Sequence, residues 1–399
     1  MFETISHFTF PTEIFFGVNA LKGLPGHLET LGMKTPLVVT DPGLRESGIC
    51  AALESLLVKA GQSYTVFGDV GANPSDGDVT SALDTYRSGG CDGVIGLGGG
   101  SPLDVAKVVS VLAVNQGALL DYAVHTGGNV AIRGPLPPVV AIPTTSGTGS
   151  EVGRCSVITS KTLGRKYMVC NPLMMPKIAL LDPSLTVGLP PALTAYTGID
   201  ALTHSIEALT VKEFHPMCDA IAEKAIEFVA RYLERAVTTP GDLEARGHMM
   251  MAALMGAVAF QKDLGATHSL AHALSSVCGM QHGLANALYL VPVMRFNVMA
   301  SAKEYAMVAR CFDINTSGMT DLEAAQTTIS AVEDLMTRIG IPGSLAAAGV
   351  AESDLTLLSD KAFEDSCHQT NPRPCTRDDL FSLVRQAFHG NRGNDRGTG

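Results

Sequence analysis

The feature that most constrains this chain is a change of hydrophobic period partway along it. Between residue 35 and about residue 142, short β-rich runs alternate with helical spacing: TPLVVT then a helix near 47–60, SYTVF then a helix near 76–88, GVIGL then a helix near 102–114, and finally PPVVAIP. Such alternation specifies βαβ units and a mostly parallel, doubly wound sheet that binds ligands at the carboxyl ends of its strands. After LLDPSLTVGLPPALT the β-rich runs nearly disappear. Segments near 191–209, 217–236, 243–260, 265–277, 321–339 and 376–388 instead carry apolar residues at helical spacing. Gly188, Pro190 and Pro191 punctuate the change, which predicts a Rossmann-like α/β domain over residues 1–188 and an all-α domain over 189–389. The closing GNRGNDRGTG, residues 390–399, has nothing to bury and is expected to be disordered.

With 399 residues, 46% hydrophobic and 17% charged, the chain can bury one or two sizeable cores. A formal charge of −11, with no basic stripe among aromatics, opposes nucleic acid as a partner. Nine cysteines without a CxxC pair suit reduced thiols better than disulfides or structural zinc, which points to the cytoplasm. The start, MFETISHFTFPTEIFFG, reads as strand rather than signal peptide, and no run of about 18 uncharged apolar residues argues for a membrane span. Asn315 begins a glycosylation sequon, which without a secretion signal reads as accidental.

Two loops in the first half suit a nucleotide. Gly98-Gly99-Gly100-Ser101 follows GVIGL and opens a helix carrying Asp104 and Lys107, so its backbone can approach an anion at a helix N-terminus. The bland alternative is a tight strand-to-helix turn, since the pattern is not GxGxxG. Pro143-Thr144-Thr145-Ser146-Gly147-Thr148-Gly149-Ser150 follows the run VVAI and offers hydroxyls and glycines to phosphate, ribose or carboxamide oxygens. Asp41 ends TPLVVT, where a carboxylate accepts hydrogen bonds from a ribose diol and repels a 2′-phosphate, favouring NAD over NADP. Its competing role is that of an ordinary turn residue.

The helical half concentrates metal-ligand chemistry. Asp200 and His204 in GIDALTHSIEAL are four apart, as are His268 and His272 in GATHSLAHAL, and His282 lies in GMQHGLANA. On helices each pair shares a face and can reach one cation. A lone histidine on an apolar face is usually a satisfied core residue; two such pairs in one α-domain are harder to dismiss. Imidazoles with a carboxylate suit iron(II) or zinc(II) alike.

Taken in order, FPTEIFFG, VVTDPGL, GGGSPLDVAK, AIPTTSGTGSEV, GIDALTHSIEAL, HSLAHAL, QHGLANA and TNPRP resemble the iron-containing, group III alcohol dehydrogenase family over nearly the whole chain before its tail. The resemblance implies an N-terminal nucleotide-binding domain, a C-terminal helical domain of the dehydroquinate synthase-like type, and an active site in the cleft between them. By it, Asp200, His204, His268 and His282 are the metal ligands and His272 an unligated histidine beside the nicotinamide. It likewise implies cofactor contacts at Asp41, Asn73, Gly99, Gly100, Ser101, Thr144, Thr145 and Lys166, with Asp104 supporting the glycine loop, and a dimer or larger assembly. AFQKDLGATHSLAHAL and DSCHQTNPRP resemble the branch acting on 4-hydroxybutyrate and succinate semialdehyde more than the propanediol branch. Gly153-Arg154 and Asp263 depart from it: many relatives have threonine after GSEV, and glycine is frequent at position 263.

The expected activity is therefore hydride exchange between NAD(H) and a small primary alcohol or aldehyde, with a metal polarising the substrate oxygen. His272, with an intrinsic pKa of about 6.5, is the candidate proton carrier, against the reading of a core histidine. Arg154, His368 and Arg373 are candidate anchors for an acid-bearing substrate, each having a solvated surface role as its ordinary alternative. The competing readings are a zinc polyol dehydrogenase, a dehydroquinate synthase-like lyase and a non-catalytic nucleotide-binding regulator.

Overall fold

A computed structural model describes residues 12–124, 131–160 and 164–390. Apart from Gly390, the tail expected to be disordered lies outside them. Nine strands are described: β1 (Glu13–Phe16), β2 (Pro36–Val39), β3 (Thr65–Phe67), β4 (Gly93–Gly98), β5 (Ala123–Val124), β6 (Val139–Pro143), β7 (Cys155–Ser160), β8 (Arg165–Cys170) and β9 (Ile178–Leu181). The α-helices before residue 189 are α1 (Leu24–Thr30), α2 (Pro42–Glu46), α3 (Ile49–Lys59), α4 (Asp76–Ser88) and α5 (Gly100–Val114). After it come α6 (Pro191–Thr210), α7 (Pro216–Thr238), α8 (Leu243–Ala259), α9 (Ala266–Cys278), α10 (His282–Asn297), α11 (Ala302–Cys311), α12 (Asp321–Arg338), α13 (Leu355–Glu364) and α14 (Arg377–His389). The described chain divides into two compact units between Leu189 and Pro190.

In the first unit six strands form one parallel sheet in the order β1-β9-β6-β4-β2-β3. β2, β4 and β6 are buried throughout, as strands covered on both faces must be, which is why they read as continuous apolar runs. Alternate residues serve opposite faces: Val38, Ile95 and Val140 join one core with α1 and α3, while Leu37, Val94 and Val139 join another with α4 and α5. The chain runs from β2 out to β3 and returns past β2 to β4, so strand order reverses between β2 and β4. In an open α/β sheet that is the crevice where ligands settle.

A second, antiparallel sheet runs β5-β8-β7. Its β7–β8 register sets Cys155 opposite Cys170, and the two form a disulfide. This corrects the expectation of uniformly reduced thiols: a sequence separation of 15 carries no pairing signal until the antiparallel register brings the two together. The other seven cysteines are free.

The second unit is helical throughout its named elements. α6 is buried on nearly every side from Thr194 to Thr210, packed between α7, α8 and α10, and a second core joins α9, α10, α13 and α14. Close approach of α10 to α6 requires Gly283, because a Cβ there would stand 2.3 Å from the Tyr196 carbonyl oxygen.

Candidate functional site

In the α/β unit the candidate cofactor residues other than Lys166 follow the carboxyl ends of β2, β3, β4 and β6 in the parallel sheet. Gly98 ends β4 at φ +149, a conformation suited to glycine, and Gly99 precedes the N-terminus of α5. The two loops interlock. Thr144 donates its backbone N–H to the Gly98 carbonyl at 3.0 Å, and a Cβ on Gly100 would stand 2.7 Å from Thr148 Cγ2. Thr145 lies against Gly99 in the same way, at 3.3 Å from where a Cβ would be. Asp41 caps α2, accepting the Leu44 N–H on Oδ1 at 3.0 Å. Asn73 is half-buried in the turn after β3, and Lys166 is half-buried on β8 opposite Thr159.

Two expected cofactor residues have other partners. The Ser101 hydroxyl donates to the Ala72 carbonyl at 2.8 Å. Asp104 faces the hydroxyl-rich loop and β7 rather than the glycine loop: Oδ1 accepts from Ser150 Oγ at 2.5 Å and Oδ2 from the Val157 N–H at 2.8 Å. Beside it Lys107, fully buried, donates to the carbonyls of Ser150, Gly153 and Cys155 and lies 3.2 Å from Asp104 Oδ1. Burial pushes this ammonium below its ordinary value, against the pull of Asp104. Glu151, buried in the same loop, has its carboxyl pushed up to about 7 by desolvation.

In the helical unit Asp200, His204, His268 and His282 converge, with one ligand atom from each lying within 4.8 Å of all the others. Asp200 Oδ1 is 3.5 Å from His282 Nε2, 3.9 Å from His204 Nε2 and 4.0 Å from His268 Nε2. These separations are mostly too long for direct hydrogen bonds. Ligands about 2.1 Å from a shared ion stand roughly 3.4 Å apart at the tetrahedral angle, so the quartet fits a divalent cation. α6 supplies Asp200 and His204, α9 supplies His268, and α10 begins at His282. The rings of His204 and His268 stack at 4.7 Å.

The sequence reading missed Glu207. It follows His204 by one helical turn and receives three groups: the N–H groups of Gly265 and Thr267 at 2.9 and 2.8 Å, and His268 Nδ1 at 2.6 Å. An ionised carboxylate only accepts, so His268 carries its proton on Nδ1 and turns Nε2 toward the cluster. Burial alone would lower the His268 pKa, but Glu207 outweighs it and the net shift is upward; reciprocally, His268 holds Glu207 low against burial. Gly265 is required here, since a Cβ would meet Glu207 Oε1 at 2.8 Å.

His272 lies one turn beyond His268 and stacks on His282 at 5.4 Å. Its Nδ1 bonds Asp365 Oδ2 at 2.9 Å, while Asp365 Oδ1 accepts from Ser269 Oγ at 2.8 Å and the Cys367 N–H at 2.9 Å. Against burial, His272 and these donors hold the Asp365 carboxyl well below the usual range. Asp365 was also missed, because 93 residues separate it from His272 and no spacing rule links them. His272, Asp365 and Cys367 form a second compact group, but burial and then Asp365 push the Cys367 thiol far up, so it stays protonated and is a poor ligand.

The three candidate anchors separate. Arg154 is exposed just before β7 and, among the described residues, makes no ion pair. His368 is buried, its ring stacked on Phe363 with Nε2 3.1 Å from the Phe363 carbonyl. Arg373 lies over the Phe296 ring at 3.7 Å and donates to the Phe296 carbonyl at 3.1 Å. The last two side chains thus already have partners within the helical unit, His368 buried and Arg373 exposed.

Comparison with known proteins agrees in kind. Residues 11–183 match the family description "Iron-containing alcohol dehydrogenase" and residues 194–388 its C-terminal part, "Fe-containing alcohol dehydrogenase family, C-terminal". The chain is 38% identical to the 1,3-propanediol dehydrogenase of Klebsiella pneumoniae over 381 residues, covering 95% of this chain and 97% of that one. It is 36% identical to the NAD-dependent methanol dehydrogenase of Bacillus methanolicus, covering 96% and 100%. The value is 37% for the 4-hydroxybutyrate dehydrogenase of Cupriavidus necator, covering 94% and 98%. A solved 1,3-propanediol oxidoreductase superposes with a TM-score of 0.92 at 37% identity, covering 96% of this chain and all of the other. The chain belongs to the iron-containing alcohol dehydrogenase family, and it is an enzyme of the alcohol dehydrogenase class. Whole-chain identity is nearly level between the propanediol and 4-hydroxybutyrate relatives, so it does not choose a branch.

Proposed function

We propose that this enzyme interconverts a small primary alcohol and its aldehyde, with NAD(H) as hydride partner and one divalent ion, iron(II) in preference to zinc(II), held by Asp200, His204, His268 and His282. The observation that carries this reading is the convergence of those four ligand atoms, one of them aimed by Glu207. When bound, such an ion supplies Lewis acidity toward the substrate oxygen.

The chain's own residues supply the rest. Asp365 fixes the His272 proton on Nδ1, leaving Nε2 to accept the proton that an alcohol gives up on oxidation and to return it on reduction. For the cofactor, Gly99, Gly100 and the N-terminus of α5 suit a pyrophosphate, and Thr144 and Thr145 suit its flanking oxygens. Asp41, one oxygen committed to its cap, has the other for a ribose hydroxyl, which favours NAD; a relative named NAD-dependent supports this. Asn73 and Lys166 complete the cofactor set, and Ser101 and Asp104 act by fixing the surrounding loops.

For the substrate we favour an acid-bearing aldehyde such as succinate semialdehyde, with 4-hydroxybutyrate as its alcohol. The motifs around residues 260–275 and 365–374 and the 4-hydroxybutyrate relative support it, with exposed Arg154 as the carboxylate anchor. We also expect an assembly of two or more copies, in keeping with the exposed apolar Ile14, Phe15 and Phe16 on edge strand β1. Seven free cysteines favour the cytoplasm, with Cys155–Cys170 as a counterweight.

The test is NADH consumption by iron(II)- and zinc(II)-loaded enzyme across succinate semialdehyde, glycolaldehyde, propanal and 3-hydroxypropanal. Succinate semialdehyde is expected to be preferred, and Arg154→Ala to raise its KM by about tenfold with little change for propanal. Turnover of none of the aldehydes overturns the redox reading; equal turnover of all of them removes the acid-bearing preference alone.

A further inference from the structure

Ser269 and His272 stand three apart on α9, so their side chains leave the same face of that helix. Between them they hold both oxygens of one carboxylate: Asp365 Oδ1 accepts from Ser269 Oγ at 2.8 Å, and Oδ2 meets His272 Nδ1 at 2.9 Å. An aspartate's own covalent geometry does not fix the plane of its carboxylate, because χ2 is a broad, roughly two-fold torsion. The other donor to Oδ1, the Cys367 N–H at 2.9 Å, belongs to the same short segment as Asp365 and moves with it. Ser269 is thus the donor that refers the carboxylate to the helix on which His272 sits.

Ser269 is completely buried, and both directions of its hydroxyl are committed. The His368 N–H donates to Oγ at 2.8 Å, and an ionised carboxylate only accepts, so the hydroxyl proton points at Asp365. Serines inside helices often turn back to a carbonyl of the preceding turn, as Ser205 does to Ala201 and Ser276 to His272, each at 2.9 Å. Ser269 instead reaches out to Asp365. The segment carrying Asp365 does not need this serine for its attachment to α9. Thr370 Oγ1 donates to the Leu264 carbonyl at 2.7 Å, and Asn371 Oδ1 accepts the Ala266 N–H at 3.2 Å.

We propose that Ser269 is a positioning residue for proton transfer, holding Asp365 in the plane that keeps the His272 proton on Nδ1 and leaves Nε2 for the proton of the substrate. The inference rests on His272 being the proton carrier of the function proposed above. Without the hydroxyl, the carboxylate keeps only the donor that moves with it, and the imidazole loses its orientation. Proton transfer then slows, while the binding of aldehyde and NADH, which draws on other residues, stays as it was.

The experiment uses the full chain reconstituted with iron(II), and whichever of the four aldehydes named above it reduces fastest. For the wild type, Ser269→Ala and Thr370→Val, kcat and the KM of aldehyde and NADH are measured in light and in heavy water, and bound metal by mass spectrometry. Ser269→Ala is expected to lower kcat about tenfold with both KM values within about twofold of the wild type, and to raise the solvent isotope effect on kcat by about twofold as proton transfer becomes rate-limiting. Thr370→Val, which removes a bond of similar length from the same segment without touching Asp365, is expected to leave the isotope effect unchanged. Ser269→Cys, near in size but a weak donor, is expected to follow the alanine variant and carries the test if that variant does not fold. An unaltered kcat in the Ser269 variant, a fall in kcat without a rise in the isotope effect, or an equal rise in Thr370→Val overturns the positioning role. So does loss of bound metal, which places the influence of Ser269 at its neighbour His268. A wild type that reduces none of the aldehydes defeats the proposed function itself, an outcome distinct from these.

Discussion

At the scale of single residues, the conformation of Asp263 makes a claim independent of catalysis. Its φ of 88 and ψ of 179 fall in a region essentially reserved for glycine, and its side chain is exposed. Such strain costs about 1–3 kcal/mol, of which glycine would return roughly 0.5–1 through the greater freedom of the unfolded chain. Asp263→Gly is therefore expected to stabilise the helical unit by about 1 kcal/mol and raise its Tm by ~2–4 °C, measured calorimetrically; a lower Tm would show that the aspartate makes a compensating contact. The departure from the family glycine was visible in the sequence, whereas its backbone angle was not. Ligand candidates were legible for a related reason: Asp200 and His204, and His268 and His272, announce a shared face by their spacing. Glu207 had the same signal, seven after Asp200 on one helix, but an acid on a helix is ordinarily solvated, and only the arrival of the α9 N-terminus shows it to be buried and occupied. Asp365 carried no signal short of the fold.

At the scale of elements, strands with both faces covered announced themselves as apolar runs, and β2, β4 and β6 lie where the sequence placed them. The β7–β8 hairpin did not, because its residues are only alternately buried and include polar Ser156, Thr159 and Lys166. α10 escaped for the opposite reason: it is apolar around most of its circumference and contains Pro292, so no helical stripe stands out. The loop from Thr144 to Gly153 is tied to α5 by the buried Lys107, with Glu151 enclosed beside it. Because Glu151 holds its proton to about 7 in the folded chain against 4.5 in the unfolded one, the folded state binds more protons across that interval. Stability from this group is thus full below the unfolded value and is lost as pH rises through the folded one. At about 1.4 kcal/mol per unit, the loss amounts to up to ~3 kcal/mol. Glu151→Gln should flatten the fall in Tm between about pH 5 and about pH 8. An identical pH profile in the variant would mean that Glu151 is ionised throughout, as a partner of Lys107.

At the scale of the whole molecule, each compact unit has its own candidate chemistry: loops suited to a dinucleotide on the sheet edge of one, and a buried carboxylate and three imidazoles in the other. This division followed from the change of hydrophobic period, which is why fold class and family were legible from the chain alone. Substrate identity was not, since the candidate anchors differ in ways only coordinates show: Arg154 and Arg373 are both exposed, Arg373 lying over Phe296, while His368 is buried against Phe363. The central claim is that the quartet holds the ion on which turnover depends. It is tested most directly by measuring metal content and NADH binding together in the wild type and in His268→Ala, both reconstituted with iron(II). The wild type is expected to hold one ion per chain, and the variant to lose the ion and its activity with NADH affinity unchanged. A variant that keeps its full complement of metal would contradict it.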